Sequence, residues 1–402
     1  MTKEMFASTK NPPQSPSGLA SSPRVSLGST ESRRGEAGLS RSGPRGGGQP
    51  YRRIFRGGKR IVFKPRPGDA TKSKTHPSPS GEATAKPPKP DREFSRGQKN
   101  KPGEGVLKII PLGGCEEVGR NMTVFEYGED IVILDMGLQF PEEDMPGIDY
   151  IIPNIEYLRG KEKNIRGVIF SHGHLDHIGA APILLEKLGN PAIIGRDLTI
   201  AMVKHRQEDY QKGSAKKLKT VIIKTLNDRL KLGVFEVSFF QIEHSIRDAV
   251  GVILKTPPGT IIHPGDWTLE KDDHGRPLLD YAHLAKLPRP TILMLESLGA
   301  INDKESVSTQ EMQKNLTDLI TNATGRTIIG TFSSQIERID WILNTAQKLG
   351  KKVALDGYSM KMNVEISQKL GYIKVKKDTM IGIDKIDDYP DNKIVVLCTG
   401  AQ

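Results

Sequence analysis

The sequence has little cysteine and few aromatic side chains. Two cysteines stand in 402 residues, and Phe, Tyr and Trp together make 5%. Cys115 and Cys398 are far apart, which excludes a disulfide framework and a thiolate zinc site. A reducing compartment, the cytoplasm, is therefore expected. No run approaches the roughly 18 apolar residues that a membrane span needs, so no membrane association is expected. The N-terminus has no apolar h-region, and no secretory signal is expected either.

The positive charge is confined to one end. The net charge is +11, yet residues 1–105 alone hold 22 Lys and Arg against 8 Asp and Glu, leaving 37 against 40 in the rest. Stretches such as RSGPRGGGQPYRRIFRGGKR cannot bury enough apolar surface to offset the entropy of ordering. Residues 1–105 are predicted to be a disordered, basic, Pro/Gly/Ser-rich tail. Such a tail can contact RNA through its charge, with Tyr51 and Phe55 able to stack on bases. A solubilising extension with no defined partner has the same composition.

From Val106 the texture changes. VLKIIPLGG reads as a strand, MTVFEYGEDIVILDMGL as two strands around a short turn, and NIRGVIF as another. APILLEKLG reads as a helix closed by Gly189; VFEVSFFQI, GVILKT and TIIHPGD read as further strands. From about residue 302 helices and strands alternate. A capping box at Ser308 and Glu311 opens a helix with Met312, Leu316, Leu319, Ile320 and Ala323 on one face. Strand RTIIGTF, helix QIERIDWILNTAQKLG, strand KKVALDG, a helix through NVEISQKLG and strand KIVVLCTG follow, a rhythm that predicts a parallel sheet. The fold class is α/β. The division expected is a first domain over 106–300 and a second over 301–402. A parallel unit normally runs on into a helix, so the end at Gln402 is expected to be a cut.

The chemistry concentrates in FSHGHLDHIGA, residues 170–180. Three of nine histidines (His172, His174, His177) and Asp176 lie within six positions, after a strand and before a helix. Alternate residues of an extended loop can converge on one ion, as His172 and His174 would. Asp176 and His177 would then turn toward a second. Imidazole and carboxylate suit borderline divalent ions such as zinc. Surface histidines, or Asp176 as an ordinary helix cap, are the blander alternatives. Two later strand ends offer further ligands: His244 in QIEHSIRDA, and Asp266 in HPGDW, whose two oxygens can bridge two ions. His263 reads as supporting or structural. Asp135, at the end of VILDMG, can hold a ligand histidine by its other ring nitrogen.

Together these residues resemble the metallo-β-lactamase superfamily, more narrowly its β-CASP nucleases and the bacterial ribonuclease J family. The resemblance covers about residues 107–402. It rests on LGGCEEVGRNMTVFEYGEDIVILDMGLQFPEEDMPGIDYIIPNIEYL, SHGHLDHIGA, HSIRDA, HPGDW and CTGAQ. It implies an αββα sandwich followed by an incomplete β-CASP domain. It implies two zinc ions in the complete enzyme, one on His172, His174 and His244, the other on Asp176, His177 and the bridging Asp266. A further ligand histidine, and a phosphate-side histidine, are implied beyond Gln402. The fragment alone is then expected to bind metal weakly and cleave poorly. Two departures stand out: Arg247 replaces a smaller residue or proline, and LMLESLGAIN, around Glu296 and Ser297, replaces the more usual Asp-Ser-Thr-Asn-Ala.

The resemblance implies a ribonuclease acting 5′-to-3′ and internally in RNA maturation and decay, on single-stranded RNA preferably bearing a 5′-monophosphate. Homodimers or homotetramers are implied for the full-length protein. Two metals support in-line displacement at phosphorus by water, with Asp176 or Asp266 orienting it and a ribose 3′-oxygen leaving. The strand ends TFSSQ, DGYS and CTGAQ suit phosphate, with Ser333, Ser334, Thr399 and Gly400 the candidates to hold it. Alternatively Ser334 caps the following helix and Gly400 permits a turn. Two competing functions are a small-ester hydrolase of the same fold, such as a lactonase or thioesterase, and an RNA-binding protein with a dead site. A small substrate requires neither the second domain nor the tail, and all six ligands expected in this span are present.

Overall fold

The computed structural model describes residues 105–272, 274–301 and 307–400. The tail predicted for residues 1–105 lies outside them, except Gly105, as do Ala401 and Gln402. Eleven strands and three helices precede residue 300. In order they are β1 (Leu107–Gly113), β2 (Met122–Tyr127), β3 (Asp130–Leu134), β4 (Ile165–Ile169), α1 (Leu175–Ile178), α2 (Ala181–Lys187), β5 (Ile193–Gly195), α3 (Asp197–Tyr210), β6 (Thr220–Ile222), β7 (Arg229–Leu232), β8 (Phe235–Gln241), β9 (Val250–Thr256), β10 (Gly259–His263) and β11 (Thr291–Leu293).

These strands form two sheets. The first is six-stranded in order β1-β2-β3-β4-β5-β6, antiparallel up to β3 and parallel from there on. The second is five-stranded in order β11-β10-β9-β8-β7, antiparallel except for β10–β11. Strand β3 shows why its sequence, DIVIL, is an unbroken apolar run. Val132 and Leu134 pack between the sheets with Phe235, Val237, Phe239 and Leu254. Ile131 and Ile133 face the other way, into a core shared with Leu184 and Leu185 of α2 and Leu198 and Ile200 of α3. Side chains alternate across a strand, so a strand covered on both faces must be apolar throughout.

The second part continues with α4 (Thr309–Asn322), β12 (Thr327–Gly330), α5 (Ile336–Lys348), β13 (Lys352–Asp356), α6 (Tyr358–Lys369), β14 (Met380–Ile381) and β15 (Ile394–Cys398). The sheet runs β12-β15-β13-β14, all parallel, as the alternating pattern predicts. The Ser308 Oγ accepts a hydrogen bond from the Glu311 amide at 3.1 Å, the expected cap of α4. Helix α5 buries Ile336, Ile339, Leu343 and Ala346, a stripe at helical spacing. The apolar face of α4 is only partly covered. Ile320 is buried, but Leu319 is 67% exposed at a shallow cleft shared with Ile328 of β12.

Several polar contacts tie the second part to the sandwich, among them the Thr309 hydroxyl of α4 donating to Glu270 Oε1 at 2.8 Å. The Tyr372 hydroxyl donates to Asp197 Oδ1 at 2.6 Å, and the Tyr358 hydroxyl to Asp209 Oδ1 at 3.0 Å. Arg247, the departure noted in HSIRDA, donates to Asp340 Oδ2 on α5 at 3.0 Å and lies 3.7 Å from Glu337. The adjacent Asp248 is buried and accepts from the Thr199 amide and hydroxyl on α3 at 2.7 and 3.0 Å. The loop after β8 is thus fastened on both sides.

Candidate metal centre

Four strand ends meet at one place. Asp135 follows β3, the His172–His177 loop follows β4, His244 follows β8 and Asp266 follows β10. The loop is extended through His174, whose backbone is in the β region, and then closes into the single turn of α1. Hence His172 and His174 project one way, while Asp176 and His177 sit on the turn. The segment after Asp135 splints that turn: Met136 N donates to His177 O at 2.7 Å and Leu138 N to Leu175 O at 3.0 Å. Gly137 makes the approach possible, since a Cβ there would lie 1.5 Å from Asp176 O. Asp176 is therefore not a helix cap; His174 holds that position and makes no side-chain cap bond.

Ligand atoms of His172, His174, His244 and Asp266 lie within 4.8 Å of one another, as do those of Asp176, His177 and Asp266. The two groups share Asp266. His172 Nε2 and His244 Nε2 stand 3.1 and 3.0 Å from His174 Nδ1. The hydroxyl of Ser171 donates to Asp135 Oδ2 at 2.8 Å, so at its 3.0 Å contact with His172 Nδ1 it must accept. That leaves His172 Nε2 a bare lone pair aimed at its neighbours. Adjacent nitrogens on a tetrahedral ion with bonds of about 2.0–2.1 Å stand about 3.3 Å apart. The donor set fits a borderline divalent cation.

Electrostatics point the same way. Burial holds His172 well below the usual histidine range, with neighbouring histidines adding to it. Burial and the proximity of His244 bring His174 to about 3. Burial brings His244 to about 4 despite Asp266. All three are neutral at neutral pH, as metal ligands must be. His177 differs. Burial alone would lower it, but Asp135 and Asp266 outweigh that and hold it well above the usual range. Its Nδ1 lies 2.8 Å from Asp135 Oδ2 and its Nε2 3.1 Å from Asp266 Oδ1. Burial works to raise Asp266, yet the bonded His177 with His244 and His174 brings it to about 2. Asp176, 3.6 Å from His177 Nε2, is raised by its burial. The shared imidazole goes with Asp266.

Asp135 is the organising group. It accepts from the Ser171 amide and hydroxyl, both at 2.8 Å, and faces His177 Nδ1. Its own backbone sits at φ 63°, an uncommon conformation for a side-chain-bearing residue. His263 is set apart: its Nδ1 accepts from the Gly265 amide at 3.0 Å and burial pushes it down to about 4. Sequence reading missed Asn121, whose Nδ2 lies 3.2 Å from His177 Nε2 and 3.5 Å from Asp176 Oδ2. It arrives from the loop before β2, and no local spacing marks it.

The cluster opens into a cavity of about 480 Å³, lined by His174, Asp176 and His244 on one side and by Phe332, Ser333 and Ser334 on the other. Phe332 is 60% exposed, and Phe140, also on the lining, 53%. Asn363 of α6 donates to the Ser333 carbonyl and faces its hydroxyl at 3.0 and 3.2 Å. Ser334 does not cap α5: Gln335 holds that position and no side chain caps the helix. Thr399 and Gly400 follow β15, Thr399 beside Gly357 and Gly400 beside Gly330, outside the lining.

Two sheets face to face with His and Asp ligands at their strand ends define the class, and residues 115–300 match the Metallo-beta-lactamase superfamily. Residues 324–402 match Ribonuclease J, beta-CASP domain. The chain belongs to the metallo-β-lactamase superfamily, in the branch of the ribonuclease J proteins. It is 37% identical over 304 residues to Ribonuclease J of Thermus thermophilus, covering 74% of this chain and 52% of that protein. It is 34% identical over 302 residues to Ribonuclease J of Mycoplasma pneumoniae, covering 75% and 52%. The chain thus spans about half the length of these curated relatives. A solved structure of a protein of unknown function from Enterococcus faecalis V583 shares the fold at 16% identity, with TM-score 0.54 over 74% of this chain and 77% of that one.

Proposed function

We propose that the protein is a metal-dependent ribonuclease that hydrolyses phosphodiester bonds of single-stranded RNA. The observation that carries this reading is the opening of a two-part His/Asp donor set into a cavity whose far wall is hydroxyl-rich and flanked by exposed aromatic side chains. Hydroxyls and free helix-end amides suit phosphate, and exposed rings suit bases. A small ester requires neither. His172, His174 and His244 would hold one ion and Asp176 and His177 the other, with Asp266 common to both; zinc is the metal this donor set favours. Divalent ions there supply Lewis-acid polarisation of the phosphoryl group and acidify water toward neutral pH.

The chain's own residues do the rest. Asp176 and Asp266 orient the attacking water and receive its proton as its oxygen bonds to phosphorus. The bond to the ribose 3′-oxygen breaks and that oxygen takes up a proton, leaving a 5′-phosphate product. Asp135 holds His177 in the tautomer that presents Nε2 inward. Ser333 and Ser334 receive a phosphate of the strand, with Thr399 and Gly400 at the neighbouring strand end. By likeness to the relatives' printed name, the finer proposal is 5′-to-3′ and internal cleavage in RNA maturation and decay, a preference for 5′-monophosphate, and a cytoplasmic homodimer or homotetramer. The division at 300/301 belongs to this proposal too. No helix among the described residues is long and apolar enough to cross a membrane. The test is cleavage of an end-labelled single-stranded RNA. Activity should vanish with EDTA and in Asp176→Ala; RNA cleavage undiminished in that variant would sink the reading.

A further inference from the structure

Among the described residues, one cationic side chain on the cavity lining has no hydrogen-bond or ion-pair partner. Arg206 lies on α3 and lines the cavity together with His174, Met202, Ser333 and Ser359. It is half-buried, and its Nε is fully buried without any hydrogen-bond acceptor. The nearest carboxylate on its helix, Asp209, is already engaged. Its Oδ1 accepts from the Tyr358 hydroxyl at 3.0 Å and its Oδ2 lies 3.3 Å from His205 Nε2. Among the described residues Arg206 forms no ion pair within 4.0 Å; Arg196, Arg229, Arg289 and Arg338 form none either, but Arg206 is the arginine that lines the cavity. Burial works against its charge and lowers its pKa, and the nearby charge of Asp209 offsets this only in part. A guanidinium cannot shed its proton at physiological pH, so the cost of partial burial persists unless an anion enters the cavity.

We infer that Arg206 is a phosphate-binding residue of the cleft, taking up a phosphate oxygen of the RNA strand on the α3 wall. The inference rests on the ribonuclease reading above. The planar fork of the guanidinium matches two phosphate oxygens, which lysine cannot reproduce. Tyr358 and His205 contribute by occupying Asp209, which would otherwise compete for the same cation.

The test is binding of short single-stranded RNA, in EDTA so that nothing is cleaved, across a salt series. The whole chain is compared with Arg206→Gln and Arg206→Lys. The basic tail is common to all three, so differences between them isolate the cleft. Arg206→Gln should weaken binding on the order of ten-fold and flatten the slope of log K against log salt by about 0.7. Arg206→Lys should keep the slope and recover part of the affinity. Oligomers with 5′-hydroxyl and 5′-phosphate ends identify the group bound. An equal loss on both assigns an internal phosphodiester, and a loss confined to the second assigns the terminal phosphate. Unchanged slope and affinity in Arg206→Gln would overturn the inference while leaving the nuclease reading intact. So would equal losses in both variants at constant slope, which would mark a structural role. A wild-type chain with no salt-dependent RNA binding would overturn both.

Discussion

The two walls of the cleft are built on one principle and finished in opposite ways. Each places functional side chains at the ends of strands. On the sandwich side two of the six candidate ligands, His172 and His177, are 0% and 2% exposed and bonded to Asp135, Ser171 and Asp266, while the other four are half-buried. On the parallel-sheet side the corresponding groups are serines and an exposed phenylalanine, with Asn363 the only side chain described that secures them from behind. A metal centre needs ligands fixed to a few tenths of an ångström, and only a buried, fully bonded surround provides that. A surface that admits successive nucleotides of varied sequence needs donors and rings that tolerate variation.

The contrast can be tested wall by wall. The largest effect is expected from the buried side. Asp135→Asn removes the carboxylate that orients His177 and binds Ser171, and should lower metal affinity about 10- to 100-fold. A competition titration against a chelator reads this directly; unchanged affinity would show that the surround is not what fixes the ligands. On the exposed side, Phe332→Ala should weaken single-stranded RNA by about 1–3 kcal/mol for the loss of one stacked base, with metal content per chain unaltered. A change in both would break the division of labour.

The third test concerns the loop after β8 where it is fastened to α3 within the sandwich. Asp248 is buried with one carboxylate oxygen unpartnered, and burial raises it to about 6 despite the bonds from Thr199. A carboxyl raised on folding binds its proton more tightly in the folded state. Its ionisation therefore costs nothing below about pH 4, the ordinary range, and destabilises progressively as the pH rises through about 6. The expected cost at pH 7 is about 2–3 kcal/mol. Asp248→Asn can still accept from Thr199 and should remove this component. The difference in melting temperature between variant and wild type should grow from pH 4 to pH 7; a difference independent of pH would refute the assignment.

The features readable from sequence are those set by local spacing. The histidine loop, His244 and Asp266 each sit at the end of an apolar run, and a strand end is visible in the sequence. The α5 stripe and the Ser308 cap are legible for the same reason. What was not legible depends on chain separation. Asn121 approaches His177 across 56 positions, and Arg206 acquires its meaning only because Tyr358, 149 positions from Asp209, occupies that carboxylate. Ser334 shows the same limit: the sequence left a phosphate contact and a helix cap both open, and the helix starts one residue later, with Gln335 at the cap position and Ser334 on the cavity lining.

The fastening of the loop after β8 has a consequence for how the molecule assembles its site. His244 lies three residues before Arg247, which grips α5, and four before Asp248, which grips α3. The candidate ligand His244 and a contact to α5 are thus carried on one short piece of chain. Any displacement of α5 relative to the sandwich would pull on the same short loop that positions His244.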